Sequence, residues 1–228
     1  MNWLNTKWDG KARLTGSSLV GKWAGQPWTA EFQAEVNREF LSTSDVQLTL
    51  TSGTWRGGGR LEHPFDGTAI VARLDAATGR WVAPEGEGRG EGPWWEGLDL
   101  PPGSRIDAKV QVDTLLWKGN VVLNALVDAA IAPQRVVFTG EVEPWGGRST
   151  FSGESRWNER GARLDLDYTA AEVDVRTLFT QMANFGQTTL RSEHVSGTLA
   201  SAGTGTAPWL ANGTLDEPGI QWNGELHL

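Results

Sequence analysis

Ala162-Arg163-Leu164-Asp165-Leu166-Asp167-Tyr168-Thr169-Ala170 is the stretch that decides the fold. Apolar side chains stand at every second position, with Arg163, Asp165, Asp167 and Thr169 between them. A period of two belongs to a β-strand, whose successive side chains point to opposite faces. The segment therefore reads as a strand with one apolar face and one wet face, as in an antiparallel sheet.

The same pattern runs outward in both directions. Ile106, Ala108, Val110 and Val112 alternate with Asp107, Lys109, Gln111 and Asp113. Ile70, Ala72 and Leu74 alternate with Val71, Arg73 and Asp75, and Val46, Leu48 and Leu50 with Gln47, Thr49 and Thr51. Ala30, Phe32, Ala34 and Val36 also alternate, so residues 29–41 read as strand rather than helix.

Seven tripeptides of the form Trp-x-Gly punctuate the chain, beginning at Trp8, Trp23, Trp55, Trp95, Trp117, Trp145 and Trp222. Tryptophan suits a pleated surface, and a glycine two residues on permits the positive φ of a tight turn. The expectation is a strand ending on Trp, a turn at Gly, and a new strand. An alternative has the indoles forming a stacking surface for sugar or lipid.

One segment leaves the period of two. From Asp174 to Gly186, Val175, Leu178, Phe179, Met182 and Phe185 fall at helical spacing. Asp174 is a candidate N-cap and Gly186 a candidate terminator. Residues 83–103, rich in Gly, Pro and Glu and containing Trp94-Trp95, read as a connection between two strand blocks, 1–82 and 104–228.

The chain has 228 residues, enough for one large all-β unit or two small ones. Its net charge of -8 opposes a nucleic-acid partner, because phosphate binding needs a basic footprint. Zero cysteines exclude disulfides, thiolate metal sites and cysteine nucleophiles. His63, His194 and His227 lie far apart, so no metal site is expected. Asp165 and Asp167 share a face roughly 6–7 Å apart along a strand. Paired carboxylates can serve glycoside hydrolysis, but surface carboxylates on a wet face explain them without further assumptions. No Gly-x-Ser-x-Gly elbow or phosphate loop is present. The expectation is a protein that is not an enzyme and carries no cofactor. Neither a signal peptide nor a run of about 18 apolar residues is visible.

From Leu98 to Ser201 the order of features resembles the C-terminal region of the AsmA-like proteins of diderm bacteria. The features are Pro144-Trp145-Gly146-Gly147, then Val173-Asp174-Val175-Arg176-Thr177-Leu178-Phe179, Asn184-Phe185-Gly186-Gln187-Thr188 and Val195-Ser196-Gly197-Thr198-Leu199. The resemblance implies a periplasmic protein, anchored in the inner membrane in a full-length form. It also implies outer-membrane biogenesis by guiding phospholipid or another acyl lipid. The chain then reads as a fragment or module, with inner- or outer-membrane proteins as partners through missing flanking segments.

The fold expected is mainly β: a long twisted antiparallel sheet of about sixteen strands, curled into an open hydrophobic groove, with one amphipathic helix near residues 174–186. Its lipid-binding lining is expected to be Val46, Leu48, Leu50, Ile70, Leu74, Ile106, Val110, Val112, Val136, Phe138, Phe151, Leu164 and Leu166. The alternatives are a secreted Trp-rich β-sandwich that binds carbohydrate and a structural β-scaffold without a ligand.

Overall fold

The computed structural model describes residues 12–23, 26–64, 68–82, 93, 95, 100–117, 120–184 and 196–227. The strands are β1 (Ala12–Trp23), β2 (Gln26–Val36), β3 (Phe40–Leu50), β4 (Gly53–Glu62), β5 (Val71–Thr78) and β6 (Trp81–Val82). There follow β7 (Arg105–Trp117), β8 (Asn120–Ala132), β9 (Arg135–Pro144), β10 (Arg148–Asn158), β11 (Gly161–Asp174), β12 (Thr198–Leu210) and β13 (Gln221–His227). A helix, α1 (Val175–Asn184), follows β11 directly, and a 3-10 turn spans Glu217–Gly219.

The strands of the described residues all belong to one open, twisted sheet of thirteen. Twelve strands lie side by side in sequence order, and β6 pairs with β7 off that path. Neighbours are antiparallel with one exception. β5 runs parallel to β7, so the chain between them crosses from one end of the sheet to the other. Residues 83–103 therefore lie within this crossover, and the sheet continues through both strand blocks.

The Trp-x-Gly expectation holds in part. Trp23 ends β1, Trp117 ends β7, and Trp145-Gly146-Gly147 turns between β9 and β10. Trp55-Arg56-Gly57 and Trp222-Asn223-Gly224 instead lie within β4 and β13. There the glycine answers close packing. A side chain on Gly57 would meet the carbonyl of Asp75 on β5, and one on Gly224 would meet that of Ala202. Trp95 sits in the crossover. Trp8 to Gly10, Ala24-Gly25, Glu96-Gly97 and Lys118-Gly119 fall outside the described residues.

Elements contact their sequence neighbours in the sheet, with α1 against β11 and the 3-10 turn against β12. Among the described residues the buried apolar side chains are accordingly few: Ala34, Trp95, Val112, Ala125, Trp157, Ala162, Val173 and Val175. Trp95, Trp157 and Ala162 form a buried cluster, with Val136 and Trp209 packed on it. It sits where the crossover meets β9–β12.

Candidate functional site: the apolar face of the sheet

Residues paired across neighbouring strands carry their side chains on the same face. The register can therefore be followed across the sheet. The row through Leu166 passes Gly153, Phe138, Ala129, Ala108, Leu74, Gly59, Thr43 and Ala34 in one direction, and Gly205 and Trp222 in the other. Its neighbour through Leu164 passes Ser155, Val136, Ile131, Ile106, Ala72, Leu61, Leu41 and Val36. A third, through Tyr168, passes Phe151, Gly140, Val127, Val110, Ala76, Gly57, Val46 and Phe32. One residue out of phase, the row through Asp167 reads Ser152, Thr139, Asp128, Lys109, Asp75 and Gly58. The two faces thus differ in chemistry across the sheet.

The register brings twelve of the thirteen lining residues expected from sequence onto the apolar face. The thirteenth, Ile70, stands just before β5. Its carbonyl accepts the Arg105 N–H at 2.7 Å, and its N–H donates to the Ser104 hydroxyl at 2.8 Å. Members of this face outside the expected lining include Leu41, Leu61, Val127 and Ile131, together with Ala72 and Tyr168, whose alternation in sequence already set them on the apolar side. Leu61 was hidden because Gly57, Gly58 and Gly59 interrupt the visible alternation of β4. Val127 and Ile131 were hidden in the continuous apolar run of β8.

Aromatic rings lie against the sheet over glycines of the next strand. A side chain on Gly153 would meet the Phe138 ring at 2.6 Å, and one on Gly203 would meet the Tyr168 ring at 3.0 Å. The Phe138 and Phe151 rings lie 6.1 Å apart, and those of Tyr168 and Trp222 lie 4.8 Å apart. The Tyr168 hydroxyl is satisfied by the Ser201 hydroxyl at 2.6 Å. At the far end of the strands, Trp55 and Trp81 meet edge to face at 5.7 Å.

The polar face is laced by pairs two residues apart on one strand. These are Arg60–Glu62 at 2.6 Å, Arg73–Asp75 at 3.4 Å, Arg105–Asp107 at 2.9 Å and Arg163–Asp165 at 2.8 Å. Such exposed pairs add little stability. Asp165 also accepts the Thr206 hydroxyl at 2.8 Å, and the Arg163 guanidinium holds its carboxyl below the usual range. Glu154 accepts from Arg135 at 2.7 Å and from Arg156, which brings its carboxyl down to about 2. The arginines beside Asp165 and Glu154 thus favour the ionised form of both carboxylates.

His63 directly follows β4 at φ 46, and His227 lies on β13, 3.4 Å from Glu225. His194 lies outside the described residues. Among the described residues no group of three or more metal-ligating side chains converges, and no helix is long and apolar enough to cross a membrane.

Asp174 caps α1 as expected: its carboxylate accepts the Thr177 N–H at 2.7 Å, and the Thr177 hydroxyl together with this N–H keeps its pKa low. Val175 is buried and Leu178 half-buried. Phe185 and Gly186, read as the end of the helix, lie outside the described residues. No family model matches this chain, and neither does any curated protein or solved structure.

Proposed function

We propose that this chain is a non-enzymatic lipid-binding sheet, an AsmA-like module of a longer, inner-membrane-anchored periplasmic protein. In this reading its apolar face holds or guides phospholipid acyl chains during outer-membrane biogenesis. The observation that carries the reading is one apolar face running across the whole sheet, with no second layer of described residues packed over most of it. Soluble monomers seldom expose contiguous apolar patches beyond a few hundred Å². A face of this extent needs an apolar partner, and acyl chains supply one at about 25 cal/mol per Å² removed from water. The polar face, with its arginine–carboxylate pairs, leaves the other side of the sheet in water.

A β-sandwich would press two apolar faces together, which requires a second sheet. The described strands form one sheet. Three of the tryptophans, Trp95, Trp157 and Trp209, pack on one another's cluster rather than standing as an exposed platform for sugar. The test is uptake of a fluorescent phospholipid by delipidated protein, followed by native mass spectrometry of the complex. Saturable uptake supports the reading; its absence refutes it.

A further inference from the structure

Where β10 turns into β11, the sheet carries a row of like charges. Register sets Arg135, Arg156 and Arg163 directly opposite one another on β9, β10 and β11. Like charges opposed in this way destabilise a sheet. Two carboxylates further along the strands offset part of the repulsion. Glu154 accepts from Arg135 at 2.7 Å and from Arg156, and Asp165 accepts the Arg163 Nε–H at 2.9 Å. A guanidinium has five N–H donors, so one carboxylate does not exhaust it. Arg160 adds a further cation in the Glu159-Arg160 turn, where its backbone N–H donates to the Asn158 side chain at 2.8 Å. Among the described residues no ion pair holds the Arg160 guanidinium. This concentration of arginine stands out in a chain of net charge -8.

Arg156, Arg160 and Arg163 line one recess of about 280 Å³, together with Trp157, Ala162 and Trp209. Ala162 precedes Leu164 by two residues on β11, so it belongs to the apolar face. Register sets Trp157 on one side of it and Trp209 on the other. The recess therefore joins the last apolar row of the sheet to the arginines. Its volume lies at the low end of the range of about 300–1,000 Å³ for small-molecule pockets, which suits a headgroup rather than a whole lipid. We propose that this recess binds the phosphate headgroup of an amphiphile whose tail lies on the apolar face. The inference rests on the lipid reading for the tail and adds the chemistry of the head. Arginine suits phosphate because its planar fork meets two oxygens at once. A bound phosphate also relieves the opposition of Arg156 and Arg163, which their carboxylates meet from one side. The indoles, apolar bodies with one polar edge, fit the boundary between tail and head.

Titration with dodecyl phosphate below its micelle-forming concentration, read by tryptophan fluorescence and calorimetry, is the test. The wild-type chain binds saturably, and binding weakens as salt screens the arginines. Arg160→Gln weakens it by about tenfold, the strength of one hydrogen bond to a charged group. Glu159→Gln, which removes the carboxylate of the same turn, strengthens it. Arg73→Gln, on the polar face of β5, leaves it unchanged. Dodecyl maltoside, with the same tail and no charge, binds all four proteins alike and more weakly. Melting curves check that each variant is folded. Equal affinity of wild type and Arg160→Gln for dodecyl phosphate overturns the proposal. So does inorganic phosphate that binds as tightly as dodecyl phosphate, which would make the recess a site for the free ion. Dodecyl maltoside binding as well as dodecyl phosphate overturns the headgroup site and leaves the lipid reading standing. Binding of neither amphiphile removes both.

Discussion

The carbonyl of Trp145 accepts the backbone N–H of Asp174 at 3.1 Å. This bond ties the β9–β10 turn to the residue that caps α1. Beside it, Gly147 backs directly onto Val173, where an added side chain would meet the Val173 nitrogen at 2.6 Å. Two motifs 29 residues apart in sequence thus form one structural joint. Glu172, at φ 56, supplies the break in register that turns β11 into the helix.

Asp174→Ala removes the cap of α1. A lower melting temperature, on the order of a few degrees for a chain of this size, is expected. Asp174→Asn, which keeps the acceptor, recovers most of the loss. Equal melting of all three proteins would dismiss the cap.

Within β11 the two faces can be tested against each other. Leu166→Glu weakens retention of fluorescent phospholipid, whereas Asp165→Asn and Asp167→Asn leave it near wild type. All three substitutions sit on one strand, and melting of the same samples separates lipid loss from unfolding. Equal retention by the three variants would sink the lipid reading.

Trp157→Ala empties the centre of the cluster under Trp95. A loss of about 3–5 kcal/mol in urea unfolding is expected for a buried aromatic. A loss within error of zero would show that the crossover is not anchored there.

Gly153→Ala drives a methyl group toward the Phe138 ring and toward the Asp165 carbonyl, each at 2.6 Å. Overpacking of this kind typically costs about 1–3 kcal/mol. Adding Phe138→Leu restores only part of the stability, because the carbonyl remains. Full recovery in the double variant would locate the strain in the ring alone.

Arg135 first, and Arg156 second, lower the Glu154 pKa from its ordinary 4.5 to about 2 in the folded chain. A depressed folded pKa stabilises above the unfolded value, and that contribution disappears as pH falls through the folded one. The stability difference between wild type and Glu154→Gln is therefore present above pH 4.5 and closes toward pH 2. A difference independent of pH would show that the pair contributes nothing by charge.

Much of the sheet was legible because alternation is a direct record of two faces. β11, β7 and β3 could be read residue by residue, and Asp174 announced its helix. The parallel step was not legible. Nothing in the local pattern of β5 or β7 distinguishes a parallel neighbour from an antiparallel one. Gly57 and Gly224 were read as turn residues, because a glycine demanded by close packing looks the same in sequence as one demanded by positive φ. The lining at Ile131 was hidden for a different reason: when both faces of a strand carry apolar residues, the period of two vanishes.

The parallel step has a kinetic consequence. Apart from it and the β11–β12 pair, between which α1 intervenes, the strands of the main order follow one another through shorter connections. The β5–β7 and β11–β12 pairings must wait for longer closures, and low contact order among the other strands favours fast local zipping. Two meanders, β1–β5 and β7–β11, are then expected to gain protection from hydrogen exchange separately, with β12–β13 and the crossover around Trp95 locking later. Pulse-labelled refolding that protected all strands in a single phase would exclude that order.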